Sequence, residues 1–160
     1  MSKKHARLPL FVGLLVLTIS QPVITQADEP KQADTPKILS AGPLEIPADS
    51  DTRTRLTIER RNAGLKALQS SYQLYQGGQH TVRALLDDAK RALDSALAVR
   101  GTDRVQQVAT HLLLARHMEL FVEKKFENGL EHSANREAAR YWRLDVELEL
   151  LAAKKLEAGK

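Results

Sequence analysis

Cysteine does not occur anywhere in the 160-residue chain. Its absence excludes disulfide bonds, thiol catalysis and thiolate metal sites, together with the acylated cysteine that anchors a bacterial lipoprotein. A protein without disulfides must obtain its stability from a hydrophobic core or from a partner.

Proline is absent after Pro47, although the chain contains six prolines in all. Because proline breaks helix interiors, its absence from so long a stretch favours helix. The same stretch is rich in Ala, Leu, Glu, Arg and Lys, which are good helix formers. These features predict an all-α fold.

Net charge is also small once the N-terminus is set aside. Three of the 24 basic residues, Lys3, Lys4 and Arg7, lie near the start, which leaves 24 − 3 = 21 basic against 20 acidic residues, a net charge of +1. A nearly neutral chain has little electrostatic attraction for polyanions. The composition therefore argues against nucleic acid as a partner.

The first 27 residues have the order of a secretory signal peptide. The basic start is followed by the uncharged apolar run 8–19, and small residues precede a cleavage position after Ala27. The run is shorter than the ~20 residues that span a bilayer. We therefore expect cleavage after Ala27 and export to the periplasm or cell envelope. Membrane contact is expected only if this segment is retained as an anchor.

The following segment, 28–51, has the composition of a linker. Four prolines stand among polar residues, with too little apolar surface to offset the entropy of ordering. We expect a disordered, flexible linker here, followed by a helical domain at 52–157.

Four amphipathic segments make up this domain. They are 52–76, 81–99, 103–128 and 133–157. Apolar residues recur in each at alternating spacings of three and four, which predicts a buried face on every helix. In the last segment the stripe is Ala134, Ala138, Tyr141, Leu148 and Ala152, with Leu144 and Leu151 beside it.

Polar residues interrupt these stripes at Arg61, Glu119 and Asp145. Two readings stay open. The stripes are simply core, or part of them forms an assembly face whose polar positions fix register or partner number.

The breaks between helices are marked by capping residues and glycines. Candidate N-caps for the first helix are Asp49, Ser50 and Asp51. Thr81 and Asp103 are candidate caps for the next two, and Gly129 is a candidate left-handed C-cap. The alternating three-and-four spacing of apolar residues continues across Gly78, so the helices on either side could form one kinked rod. The spacing is broken across Gly101, where we expect the chain to reverse. The two halves, 52–99 and 103–157, form either a four-helix bundle or one long hairpin of two kinked coiled-coil helices.

The chain resembles itself at an offset of 51 residues. The shared pattern is an aromatic residue, a glycine three positions later, and two leucines further on. The matched pairs are Tyr75 with Phe126, Gly78 with Gly129, Leu93 with Leu144, and Leu97 with Leu148. Two helical-hairpin repeats are the simplest explanation.

This pattern resembles the periplasmic helical repeat of the TolC-like outer-membrane efflux family. The first copy matches the family signature at Tyr75, Gly78, Thr81 and Leu86, and the second at Phe126, Gly129 and Ala139, ending in Leu144 and Leu148. The resemblance implies a coiled-coil module with a link to envelope transport. The chain is too short to add the barrel portion, so channel activity is not expected.

Catalytic and metal-binding patterns do not appear in the sequence. His80, His111, His117 and His132 lack the i, i+4 spacing of helical metal ligands, and no nucleophile elbow or phosphate loop occurs. We expect no enzyme activity, no cofactor and no metal.

The sequence thus predicts a non-enzymatic interaction module that packs helices against itself or against an envelope protein. The alternative is a periplasmic chaperone or stress adaptor built from helical hairpins. A defined oligomer favours the first, whereas an exposed cleft that binds unfolded clients favours the second.

Overall fold

The computed structural model describes residues 35–159, so the signal peptide predicted at 1–27 and the start of the predicted linker lie outside it. A short 3-10 helix, Lys37–Ser40, precedes the helices α1 (Thr52–Gln76), α2 (Val82–Leu97), α3 (Arg104–Glu127) and α4 (Ser133–Ala158). The all-α prediction is confirmed for the described residues. Within residues 35–159, no helix combines the length and the hydropathy that a membrane-spanning segment requires.

Side-chain caps define the starts of three helices. Asp51 accepts a hydrogen bond from the Thr54 amide at 2.8 Å, Thr81 from Ala84 at 3.2 Å, and Asp103 from Gln106 at 3.0 Å. Each satisfies an amide that the first turn of a helix leaves without a partner. Thr81 and Asp103 are the caps expected from the sequence, and of the three candidates for the first helix the cap is Asp51.

The repeated glycines end α1 and α3 in the same way. Gly78 and Gly129 have φ of 71° and 70°. In both turns the glycine amide donates three residues back, and the next amide donates five residues back, from Gln79 to Leu74 and from Leu130 to Lys125, each at 2.8 Å. This is the Schellman motif, which closes a helix with a left-handed residue.

The alternative of one rod kinked at Gly78 is therefore wrong. α1 ends there and the chain reverses, because the left-handed glycine turns the backbone away from the helix axis. Gly64 of α1 lies against Ala92 and Ser95 of α2, and the Ser71 hydroxyl donates to Asp88 at 2.5 Å. These pairs run in opposite directions along the chain, so α1 and α2 form an antiparallel hairpin.

We expect Gly78→Ala and Gly129→Ala each to lower the free energy of unfolding by about 1 kcal/mol, because an L-residue at positive φ is strained. Gly42→Ala is the matched control, since it lies outside the left-handed region and an added methyl group meets no atom within 4 Å. Chemical denaturation of the three variants tests this. Equal stabilities would contradict the assigned turn geometry.

The second hairpin, α3–α4, stacks on the first. Most helix contacts join α1 to α2 and α3 to α4. Tyr72 contacts His117 and Tyr75 contacts Phe121, so α1 and α3 run in the same direction. The core between the hairpins includes the fully buried side chains of Leu68, Tyr75, Leu85, Leu114 and Met118.

Residues 36–46, here called the strap, are held against α1. Ile38 is buried. The Asn62 side chain bonds both the amide and the carbonyl of Leu44, at 2.8 and 2.9 Å, and Gln69 donates to the carbonyl of Ala41 at 3.0 Å. Amide side chains of α1 supply the partners that the strap backbone needs, so the strap packs on the helix. The linker predicted at 28–51 as a whole stays a prediction.

Candidate interaction face

Large apolar side chains are exposed on the side of α3–α4 that faces away from the first hairpin. They are Leu113 and Leu120 of α3, at 62% and 65% exposure, and Tyr141, Leu144, Leu148 and Leu151 of α4, at 66%, 42%, 65% and 64%. We call these six residues the outer face. The α4 members follow the 3,4,3 spacing of a coiled-coil seam, so they form one stripe along the helix.

Ion pairs fix the register of α3 against α4. Arg116 pairs with Glu147 at 2.9 Å, and Arg143 pairs with Glu119 at 2.6 Å. In this antiparallel register Leu113 lies level with Leu151, and Leu120 lies level with Leu144. The exposed leucines of the two helices therefore lie at matching heights along the hairpin, with the Arg116–Glu147 ion pair joining the helices.

The side of α4 that is buried is not the side that carries the apolar stripe identified in the sequence. Ala139, Trp142, Val146 and Ala153 are buried, whereas Tyr141 and Leu148 are exposed. The helix is apolar on two sides, and the side with the large indole and the small alanines packs inward. Of the two readings left open for this stripe, burial in the core does not apply to Leu148, or to Leu144 beside it, in the single chain. The assembly face stays a prediction.

The repeat places its matched leucines in different environments. Leu93 of the first copy is buried, at 6% exposure, whereas its counterpart Leu144 is 42% exposed. The first hairpin is covered by the second on this side, and the second has no hairpin beyond it in the described residues. The same position of the repeat is therefore buried in the first copy and exposed in the second.

The other apolar residues of the repeat motif are buried or half-buried. Tyr75, Leu86 and Ala139 are buried, at 2%, 8% and 0% exposure. Phe126 is half-buried, with the Arg136 guanidinium 4.5 Å from its ring centre. These residues support the turns and the core and do not gather into one site.

Tyr75 joins the two hairpins. Its hydroxyl donates to Glu131 at 3.1 Å, its ring meets Phe121 edge-on at 5.6 Å, and the Lys125 ammonium lies 4.1 Å from its ring centre. Burial is the main cause that raises the pKa of Tyr75 well above its ordinary value, and the nearby Glu131 carboxylate adds to it. The phenol therefore stays neutral and acts as a hydrogen-bond donor.

The polar residues of the predicted seams make contacts within the chain. Glu119 pairs with Arg143 on α4, Asp145 lies 4.0 Å from Lys90 on α2, and Arg61 donates to the strap carbonyl of Gly42 at 3.3 Å. Each joins two elements of the fold. Sequence reasoning missed these pairings, because they depend on which helices become neighbours.

No protein-family model, curated protein or solved structure matches the chain. Within residues 35–159, no group of three His, Asp or Glu side chains is placed to hold a metal ion. The fold is that of a small all-helical protein with two stacked hairpins, and the outer face is its most distinctive surface.

Proposed function

We propose that this chain is an exported, non-enzymatic interaction module that pairs with a second copy of itself through the outer face. The observation that carries the proposal is the exposed seam of Tyr141, Leu144, Leu148 and Leu151. In stacked helical repeats the terminal unit has a polar outer side when it is finished. A leucine seam at that position supports a further helix packed on it.

The charges at the two ends of the seam select an antiparallel partner. Glu137 and Lys155 occupy seam positions nine residues before and nine residues after Val146. Antiparallel pairing about this midpoint sets Glu137 of each copy against Lys155 of the other. Parallel pairing would place like charges together at both ends, which is unfavourable.

The apolar layers match in the same register. Pairing about Val146 sets Leu144 against Leu148, and Tyr141 against Leu151, so no seam leucine meets a charge. At the flanks, Asp145 and Glu147 of one copy approach the same two carboxylates of the other. Glu147 is already paired with Arg116 and Arg143, and Asp145 lies 4.0 Å from Lys90. Intramolecular ion pairs thus reduce the repulsion there.

The first hairpin offers no equivalent surface, so the pairing closes at two copies. On α1 and α2 the exposed large apolar side chains are Leu56 and Leu74. They are separated by about 27 Å along α1 at 1.5 Å per residue, which is too far for one patch. The same face is therefore used on both copies, as in a two-fold dimer.

Export and the link to envelope transport belong to this proposal and rest on the sequence alone, on the N-terminal segment and the TolC-like repeat. The alternative, a chaperone or stress adaptor, uses the same apolar surface for unfolded clients. The two functions predict different results in the experiment below, because a client-binding surface needs no fixed register and no second copy of the chain.

Cysteine trapping tests the register sharply, because the chain has no cysteine of its own. In antiparallel pairing, Leu144→Cys chains should form disulfides efficiently only when mixed with Leu148→Cys chains. Each variant alone should stay mainly unlinked under the same mild oxidation, since equal positions lie apart. Leu74→Cys on α1 is the control for random collision.

Efficient linking of each variant alone would indicate parallel pairing. Linking of the mixture no faster than the Leu74→Cys control would contradict self-pairing through this seam.

A further inference from the structure

α1 holds the strap by its backbone. Five hydrogen bonds of 2.8 to 3.4 Å join α1 side chains to the strap, and all of them end on main-chain atoms of the strap. Asn62 accepts from the Leu44 amide and donates to the Leu44 carbonyl, Arg61 donates to the Gly42 carbonyl, and Gln69 donates to the carbonyls of Ile38 and Ala41. Every residue has a carbonyl, and every residue except proline has an amide hydrogen. These bonds therefore recognise the path of a backbone and not the sequence of the strap.

Ile38 is the apolar anchor of the strap. It is 7% exposed and belongs to the hydrophobic core, whereas Leu44 and Ile46 are 38% and 37% exposed. The polar side chains of the strap are also exposed, at Lys37, Ser40 and Glu45. A backbone held by hydrogen bonds and a side chain held in a pocket are the two means by which protein grooves bind peptides. The strap is thus bound to the helices in the manner of a peptide ligand.

The strap does not fill the groove that it occupies. A cavity of about 200 Å3 remains between Ile38 and Ala41 of the strap and the helices α1, α2 and α3. Part of its wall is polar, and the apolar part includes Leu65 of α1 and Ala92 and Ala96 of α2. Ala41 packs against the core and lines this space, so a larger apolar side chain at its position enters the cavity. Atoms that line a void lack contacts, so filling it is favourable.

We propose that this groove binds a segment of a separate partner protein, which displaces the strap. The segment has an aliphatic residue at the position of Ile38 and a larger apolar residue, such as leucine, at the position of Ala41. It keeps the backbone bonds to α1 and fills the cavity, so it fits the groove better than the strap does. The strap of a second copy has the same alanine and offers no such gain. The groove shares no residue with the outer face, and the inference does not rest on the proposed pairing.

The test opens the groove and offers a peptide. Ile38→Asp should release the strap, because an unpaired carboxylate is unfavourable at so buried a position. The probe is a synthetic peptide of residues 36–46 carrying Ala41→Leu, and the protein is the chain 28–160, which contains all described residues. Binding is read from the side-chain amide resonances of Asn62 and Gln69 by NMR.

We expect the peptide to bind the Ile38→Asp chain at least tenfold tighter than the unmodified chain. In the unmodified chain the tethered strap competes at an effective concentration of about 1 mM or more. Ile46→Asp is the matched control, because it makes the same change at an exposed isoleucine of the strap. Its affinity for the peptide should equal that of the unmodified chain.

Peptide variants test how the segment is recognised. The peptide with Ala41→Leu should bind the opened chain at least fivefold tighter than the natural sequence, because it buries more apolar surface. Methylation of the Leu44 nitrogen should weaken binding about fivefold, because it removes the donor to Asn62. Affinity should stay unchanged in a peptide with alanine at all three exposed polar positions, Lys37, Ser40 and Glu45.

Ile38→Ala is a second, milder opening variant, for use if the charged residue disturbs folding. The proposal is overturned if the peptide binds the opened chains no tighter than the unmodified chain, or if the peptides with and without Ala41→Leu bind equally. Unfolding of both opened chains would also overturn it, because the strap would then be an indispensable part of the core. Dimers of the Leu144→Ser, Leu148→Ser chain that dissociate on addition of the peptide would indicate exchange of straps between two copies, which also contradicts a separate partner.

Discussion

Replacing Leu144 and Leu148 together by serine should convert the paired protein into a monomer without unfolding it. The two leucines are 42% and 65% exposed in the single chain. Pairing buries this exposed part of each side chain. That burial contributes about 1 kcal/mol per leucine. Two copies contain four such leucines, and the dissociation constant should rise about a thousandfold.

The matched control is Leu56→Ser with Leu74→Ser, a double change of exposed leucines on α1. It removes a similar amount of exposed leucine surface from the other hairpin and should leave the dissociation constant unchanged. Both double variants should keep their free energy of unfolding, measured on the monomer at high dilution, within about 0.5 kcal/mol, as for exposed positions generally. The assigned surface would be contradicted if the Leu144/Leu148 double variant stayed dimeric. It would also be contradicted if the Leu56/Leu74 control dissociated as readily as that variant.

The end charges permit a second variant of the same experiment. Glu137→Lys alone should weaken pairing, and adding Lys155→Glu should restore it, because the exchanged charges face each other again in the antiparallel register. In a hetero-assembly with an envelope protein, no such rescue within this chain is expected. The double exchange therefore separates self-pairing from packing against another protein.

Tyr75→Ala should cause a large loss of stability. The side chain is 2% exposed and contacts Phe121 and Lys125 of the second hairpin. Truncating a buried aromatic residue costs about 3 to 5 kcal/mol, through lost burial and the cavity that remains. Since a small domain is stable by only ~5 to 15 kcal/mol, part of the population should unfold at 37 °C.

Tyr75→Phe separates packing from hydrogen bonding. It keeps the ring and removes only the donor to Glu131, so the loss should be about 1 kcal/mol. Tyr141→Ala is the exposed aromatic control, at 66% exposure, and should change stability little. Urea denaturation of the three variants measures the order of their free energies of unfolding. A loss for Tyr75→Ala no larger than that for Tyr141→Ala would contradict the role of Tyr75 as the joint between the hairpins.

The sequence was sufficient for the helices, because their causes are local. Asp51, Thr81 and Asp103 cap helix starts, and Gly78 and Gly129 adopt the left-handed backbone that ends α1 and α3. Such signals act within a few residues, so they can be identified without knowledge of the fold. The bounds of all four helices agree with the predicted segments within two residues.

The burial of α4 was not predictable in this way. Its sequence contains two apolar sides, one with Trp142 and Val146 and the other with Leu144 and Leu148. Which side faces inward depends on the partners that α2 and α3 supply, including Lys90 for Asp145 and Glu119 for Arg143. Periodicity reports that a helix has an apolar face but not which neighbour covers it.

The strap and its cavity depend on contacts between residues far apart in the chain. Asn62 and Gln69 hold the strap through side-chain amides, and His111 lines the cavity from a third element. None of these residues belongs to a recognisable motif. Their roles follow only from the three-dimensional arrangement, in which Gln69 bonds a strap carbonyl 31 residues away along the chain.

The most direct measurement of the central claim is sedimentation equilibrium of residues 28–160 over a wide range of protein concentration. Pairing through the outer face predicts a reversible equilibrium between one and two copies, with no higher species, because an isologous interface closes at the dimer. A protein that remains strictly monomeric at all concentrations, and melts cooperatively as a monomer, would contradict it.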